Sequence, residues 1–419
     1  MSYQPIFPDN NIPQARQSSP QTPLGYGNIT PQAYVNPAQF QNPNSFPQYS
    51  QPVPAALQLT PEYKKQAATR KTLTTVFLIV GTVILTLILA GASLFGGAIT
   101  FFLALFPLAG IVLATIWIGK WDPEPVWMRT LAFIWGAVGS ILLTLGLGIF
   151  WEKIPGMGTV VTGLVLQAPF VEEFCKGIFV LVLALFARKY FSGPVDGIVY
   201  MILVAAGFAF TENILYFLQS QATGGTIALG TTFFLRAIMS PFAHPMFSLP
   251  MGIMLGLAVV QNASAIKTIA YFLMGYAPAV ILHALWNGSS YFVTNFLLWI
   301  GYYGFIQIPI FVGAVLVVRA FRKEEANRTY RTLTTYAWSG YFSKEEVEAL
   351  GTWHGRKYAL KWGKNKTKEV QYLVETLNRD VVALTNIKGL IDSGERNKTP
   401  QEAKLLEKIW NDKQQLLKV

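Results

Sequence analysis

Residues 166–181 read LQAPFVEEFCKGIFVL. Apolar side chains surround Glu172, Glu173 and Lys176, and the apolar run extends over roughly 158–187. A helix needs about 20 apolar residues to cross about 30 Å of hydrocarbon. A charge at the bilayer centre costs roughly 2.5–3.5 kcal/mol on insertion scales. A run that is long enough to span, yet carries three charges, therefore implies a helical membrane protein with a polar place inside it.

Other runs extend outward on both sides. Eight candidate spans result, at roughly 73–94, 97–118, 129–150, 158–187, 194–218, 231–260, 266–288 and 292–318. Composition agrees. Hydrophobic residues make up 52% of the 419, aromatics 14% and charged residues 13%. Soluble domains carry about 25% charged residues. A disordered chain, a nucleic-acid-binding domain and a disulfide-rich secreted scaffold are argued against, and the single Cys175 forms no internal disulfide.

The formal charge of +11 is uneven. Residues 1–72 carry five basic and two acidic side chains, 73–318 eight and seven, and 319–419 twenty and thirteen. Basic flanks suit an anionic membrane surface; a merely solvated tail would look the same. Residues 1–72 are expected to be a disordered cytoplasmic tail rich in Pro, Gln and Asn. No cleavable signal pattern is visible there. Residues 319–419 are expected to form a basic helical cytoplasmic region. Ser343 with Glu346 and Thr399 with Glu402 have capping-box spacing. Lys64, Lys65, Arg70 and Lys71, then Lys120 and Arg129, Arg188 and Lys189, Lys267, and Arg319, Arg322 and Lys323 all fall on one side of the spans. The positive-inside bias then predicts a multi-pass protein of the cell membrane with both termini cytoplasmic.

The intramembrane polar residues are few. Gly207–Phe217 reads GFAFTENILYF, with Glu212 and Asn213. The sixth run carries Arg236 and then PFAHPMFS, with His244. Ile281–Ser290 reads ILHALWNGSS, with His283 and Asn287. At 1.5 Å per residue these groups reach similar depth, about 20–26 Å into their spans. Glu172 and Lys176 share a helix face, as do His283 and Asn287. Glu173 points about 100° away from Glu172, and Arg236 is a candidate partner for Glu173 or for Glu212. Some of these pairings could be structural neutralisation alone, and Cys175 reads as buried packing.

A glutamate beside histidines can activate water, directly as a base or through a metal. Glu172, His244 and His283 form a ligand set that suits Zn²⁺, although no HExxH is present. A histidine and an asparagine amide can stabilise an oxyanion. Pro241 and Pro245 would loosen the helix around His244 and free backbone groups for a substrate strand.

Glu172-Glu173-x-x-Lys176, Phe208-x-x-x-Glu212-Asn213, His244 and His283-x-x-x-Asn287, in that order, resemble the PrsW family of intramembrane proteases. That family groups with CAAX-processing and bacteriocin-immunity-type membrane proteins. Trp121–Ala137, WDPEPVWMRTLAFIWGA, is similar to the polar segment that leads into a core helix of the family. The resemblance covers roughly 120–290. It implies an endopeptidase that cuts a membrane-anchored protein in or near the bilayer, with Glu172 activating water and Glu173 its companion. His244, His283 and Asn287 match site positions. The CAAX relatives carry histidine where this chain has Glu212. Whether a metal takes part is left open by the residues. The candidate catalytic set is thus Glu172, Glu173, Glu212, His244, His283 and Asn287, supported by Lys176, Asn213 and Arg236. Partners are the bilayer and a protein substrate, and no nucleic acid is expected. A proton-coupled transporter could also use buried Glu, His and Arg, but the acidic residues cluster in spans four and five without a counterpart in the first three. A non-catalytic scaffold leaves the buried glutamates without a reason.

Overall fold

Long apolar runs cannot leave backbone groups unpaired in lipid, so they fold as helices. The computed structural model describes residues 97–293 and 295–417 and is all-helical. The tail expected over 1–72 and the span expected at 73–94 lie outside the described residues. Seven helices carry the apolar runs: α1 Ala98–Ile118, α2 Val126–Trp151, α3 Ala168–Phe186, α4 Pro194–Phe233, α5 Ala243–Val260, α6 Ala265–Phe292 and α7 Leu297–Trp338. Five helical runs among the described residues are long and apolar enough to cross a membrane. They are α1, α2, the continuous stretch Pro194–Val260 that holds α4 and α5, α6 and α7. Helix α3, read from sequence as a span, is not among them; its glutamates and lysine set it apart.

Pro194–Val260 is 67 residues long, far more than one crossing needs. It turns back at Gly225, whose φ of 63° is open to glycine. Ser220 and Thr232 mark the reversal. Their hydroxyls lie 2.7 Å apart, whereas twelve residues of straight helix would separate them by about 18 Å. The returning arm passes through a π-helical segment, Phe234–Met239, and breaks at Ser240–Phe242 before α5 begins. Pro241 disfavours helix for the residue before it. Pro245 then falls in the first turn of α5, where its missing N–H has no helical partner to lose.

Helices α4 and α5 form the centre of this unit: Val195–Phe210 of α4 is buried throughout, and most of α5 is buried as well. Their contact is backbone to backbone. A Cβ on Gly197 would stand 2.1 Å from the Gly252 carbonyl oxygen, and one on Gly252 would stand 2.4 Å from that of Gly197. Such small-residue contacts let membrane helices approach closely. Around them lie Tyr200, Val204, Leu255 and Phe272 of the main apolar core.

The described chain divides into two compact units. Asn327–Thr385 and Pro400–Val419 make up the second, which contains α8 Lys344–Gly351, α9 Trp353–Lys364, much of α10 Lys368–Asp392 and α11 Thr399–Leu416. Its core includes Leu333, Val347, Leu350, Val374, Leu377 and Ile409. The box at Ser343 and Glu346 forms. The one expected at Thr399 and Glu402 does not. Thr399 follows a 3₁₀ turn and donates to the Arg396 carbonyl, while Glu402 accepts from Tyr336. Buried Lys413 is held by Glu346 at 2.7 Å and the Tyr341 carbonyl at 2.6 Å.

In the loop between α1 and α2, Glu124 is buried beside Tyr200. The Tyr200 hydroxyl lies 2.5 Å from Glu124 Oε2 and 2.8 Å from the Tyr190 carbonyl oxygen. One hydroxyl hydrogen cannot serve both, and a protonated Glu124 supplies the second. Burial, followed by the charge of Asp196, pushes the Glu124 carboxyl from its ordinary 4.5 to about 11. Between those values the folded state holds a proton that the unfolded state releases, so this group's contribution falls as pH rises. Glu124→Gln keeps a neutral donor. Thermal unfolding in detergent should therefore show the variant gaining on the parent steadily from pH 6 to pH 9; parallel curves would mean an ionised Glu124.

Candidate active site

The sequence-predicted polar residues arrive on four helical stretches, which the hairpin at Gly225 and the break before α5 bring together. Helix α3 brings Glu172, Glu173 and Lys176, all buried. Glu212 and Asn213 come from α4. Arg236 lies on its returning arm, His244 in the first turn of α5, and His283 with Asn287 on α6.

The three glutamates are not equivalent. Glu173 Oε1 accepts from Lys176 Nζ at 2.7 Å and lies 2.9 Å from His283 Nδ1, while its Oε2 accepts from Ser248 at 2.5 Å. Glu212 is paired with Arg236, and its Oε2 lies 2.8 Å from His244 Nε2. Arg236 Nε also donates to Asn213 Oδ1 at 2.7 Å. Glu172 has only looser company, with Lys176 Nζ at 3.4 Å and His283 Nε2 at 3.9 Å. Glu173 is thus not the partner of Arg236. Arg236 returns beside Glu212 across the hairpin, and Glu173 faces α5 and α6 instead.

Each histidine therefore has a carboxylate at one ring nitrogen, Glu173 for His283 and Glu212 for His244. Such a contact fixes the ring's orientation and tautomer. The rings stand 5.3 Å apart at 87°, and Phe247 stacks on His283 at 4.8 Å. Lys176 Nζ reaches His244 Nδ1 at 3.0 Å and lies over the Phe208 ring at 4.2 Å. One donor atom each from Glu172, His244 and His283 lie within 4.8 Å of one another. Two imidazoles and a carboxylate suit zinc, and the carboxylates behind the imidazoles are usual for metal-binding histidines. By donor type and spacing these residues could hold a metal ion, with His244 using a nitrogen that here faces Glu212 or Lys176.

Asn287 lies one turn beyond His283 and is half-buried. Its Nδ2 donates to the Leu164 carbonyl at 2.9 Å. Leu164 belongs to the π-helical segment Gly163–Gln167 that leads into α3. Sequence reasoning left open that Asn287 bridges helices but could not name Leu164 as the partner, because a π-helical turn has no sequence signature comparable to a cap. It also missed Ser248, fully buried, whose one legible signal is its place one turn after His244.

A buried Glu–His–His set among helices long enough to span a membrane fits the polar site of an intramembrane hydrolase. The model of the PrsW family intramembrane metalloproteases matches residues 124–314. A protease PrsW of Clostridioides difficile is 28% identical over 192 residues, 45% of this chain and 77% of that protein. One of Oceanobacillus iheyensis is 30% identical over 179 residues, 42% of this chain and 76% of that protein. One of Bacillus subtilis is 30% identical over 139 residues, 33% of this chain and 59% of that protein. No solved structure matches. The chain belongs to the PrsW family of intramembrane metalloproteases.

Removing a buried donor leaves its acceptor unsatisfied, at about 1–3 kcal/mol. Ser248→Ala should lower the unfolding temperature by several degrees, and Ser248→Thr should restore it. An unchanged unfolding temperature in the alanine variant would show that Glu173 does not need this hydroxyl.

Proposed function

We propose that the chain is an endopeptidase that cleaves a membrane-anchored protein within or near the bilayer, with Glu172 taking the proton of the attacking water. The observation that carries this is the inequality of the glutamates. Glu173 and Glu212 are committed to cations and imidazoles at hydrogen-bond distance, whereas Glu172 is the carboxylate left at the centre with its contacts at 3.4 and 3.9 Å. Glu172, His244 and His283 would hold a metal ion, zinc by ligand type. When bound, such an ion acidifies water and polarises a carbonyl oxygen.

The chain's own residues supply the rest. Glu173 accepts from His283 Nδ1–H and leaves Nε2 facing Glu172. Glu212, held by Arg236, accepts from His244 Nε2–H and leaves Nδ1 toward Lys176. The Lys176 ammonium lies between Glu172 and Glu173, nearer to Glu173, and holds both toward the site. Asn287 commits one amide hydrogen to Leu164 and keeps the second for an oxyanion.

Glu172→Gln keeps the shape and removes the base. Cleavage of a co-expressed membrane substrate should disappear while insertion and yield persist; near-normal cleavage would end the water-activating role. In the same assay Asn287→Ala should lower specific activity per folded molecule about a hundredfold, the usual effect of losing one oxyanion donor. A variant that is less stable but fully active would leave Asn287 as a bridge to Leu164 alone.

We further infer eight membrane crossings with both termini cytoplasmic. α4 and α5 count as two crossings by their reversal. α3 is carried as a crossing because Glu173 and Lys176 are paired and Glu172 faces the same polar site, and the apolar run read from the sequence at 73–94 is counted as the first. Labelling of introduced cysteines from the outside should reach residue 156, between α2 and α3, and leave residue 330 unlabelled. Outside labelling of residue 330 would overturn the count.

A further inference from the structure

The C-terminal unit carries a feature that proteolysis does not use. Helix α9 is amphipathic. Gly355, Arg356, Ala359 and Gly363 are buried on one side, with Arg356 donating to the Leu350 carbonyl at 2.8 Å and the Asn378 carbonyl at 3.0 Å. At 100° per residue, His354, Lys357, Lys361 and Lys364 fall together on the opposite arc, and all four are exposed. Leu360 shares that arc and is 38% exposed. Lys366 and Lys368, also exposed, extend the charge beyond the helix end. No acidic residue lies between Glu348 and Glu369. None of these five lysines makes an ion pair among the described residues.

An ordinary solvated face mixes both signs of charge and supports itself with ion pairs along the helix. This arc has one sign, no internal pairs and an apolar side chain among the lysines. Those are the marks of a basic patch that meets anionic lipid headgroups. The chain keeps such a surface near. In α7, Arg322 lies over the Trp117 ring at 3.7 Å and donates to the Ile118 carbonyl at 3.1 Å. A tryptophan with a cation at a helix end marks an interfacial level. Asn327, where the C-terminal unit begins, follows Arg322 by five residues, or about 7.5 Å of helix. Effective concentration is therefore high.

We propose that the lysine face of α9 docks on anionic phospholipid headgroups of the leaflet beside which α7 emerges. Lys357, Lys361 and Lys364 pair with headgroup phosphates, and Leu360 enters the interface among them. Each lysine at such a surface raises partitioning about fivefold, so the three together act on the order of a hundredfold.

The test uses the full chain in lipid nanodiscs, with Leu360→Cys carrying an environment-sensitive fluorophore; Cys175 is buried and stays in place. One set of discs contains phosphatidylcholine alone and the other adds phosphatidylglycerol. The expected result is a blue-shifted emission, and stronger quenching by nitroxide lipids, only in the anionic discs. Both effects should vanish in about 0.5 M salt, where the Debye length is under about 5 Å. They should also vanish when Lys357, Lys361 and Lys364 are changed to Glu, and with the milder change to Gln if the first variant fails to fold. Equal quenching in neutral and anionic discs would overturn the proposal. So would an anionic response that survives loss of the three lysines, or capture of a soluble oligonucleotide or acidic peptide without any response to lipid.

Discussion

Charge in a low-dielectric interior must be balanced by the protein, because no water is present to do it. Around the site three carboxylates, Glu172, Glu173 and Glu212, face two permanent cations, Lys176 and Arg236. The helix arrangement answers this deficit. Lys176 sits between both glutamates of its own helix and reaches His244, while Arg236 returns across a hairpin to meet Glu212. With two carboxylates fully committed, the remaining imbalance falls on Glu172. A carboxylate left without close partners, beside two oriented imidazoles, is where a cation or a polarised water is favoured. The chemistry of the site and its electrostatic deficit are thus one property.

Such balance requires helices that stay at fixed separation without a hydrophobic driving force between them. Two devices supply it. Glycines bring backbones into contact, as at Gly197 and Gly252, where any side chain would collide with a carbonyl. The π-helical segments provide the second. Each widened turn disturbs the regular ladder, and three of those among the described residues present a carbonyl to another helix. Ala137 accepts from Thr211, Leu164 from Asn287 and Met239 from Tyr303. Hydrogen bonds between helices in a membrane are individually modest, about 0.6–2 kcal/mol. Their value here is positional, since two of the three bridged segments lead into α3 and α5, which carry Glu172 and His244.

The family likeness and the geometry address different questions. The likeness assigns an activity class to the stretch 124–314. The geometry separates the carboxylates, setting Glu173 and Glu212, at hydrogen-bond distance from an imidazole, apart from Glu172, which is not. It also shows a C-terminal unit with its own apolar core, outside the stretch that the family accounts for.

Several features were legible in the sequence because they follow from local rules. Apolar run length fixes helices, and charges inside such runs mark Glu172, Glu212, His244 and His283 as residues in need of a reason. Helical spacing alone places Lys176 beside Glu172. The Ser343 box formed as its spacing requires, whereas Thr399 did not, because the 3₁₀ turn before it puts that residue in helical geometry. Partner choice between helices was not legible. Spacing along one helix says nothing about rotation against another, so Arg236 went to Glu212 and not Glu173. Ser248, an ordinary residue in sequence, became a donor to a buried carboxylate. Nor can a sequence show that Gly225 reverses a 67-residue helical run, since glycine permits a left-handed turn without requiring one. Residue types fixed which chemistry was possible, and tertiary packing decided which atoms meet, because pairing depends on distances of a few ångströms that only the assembled helices set.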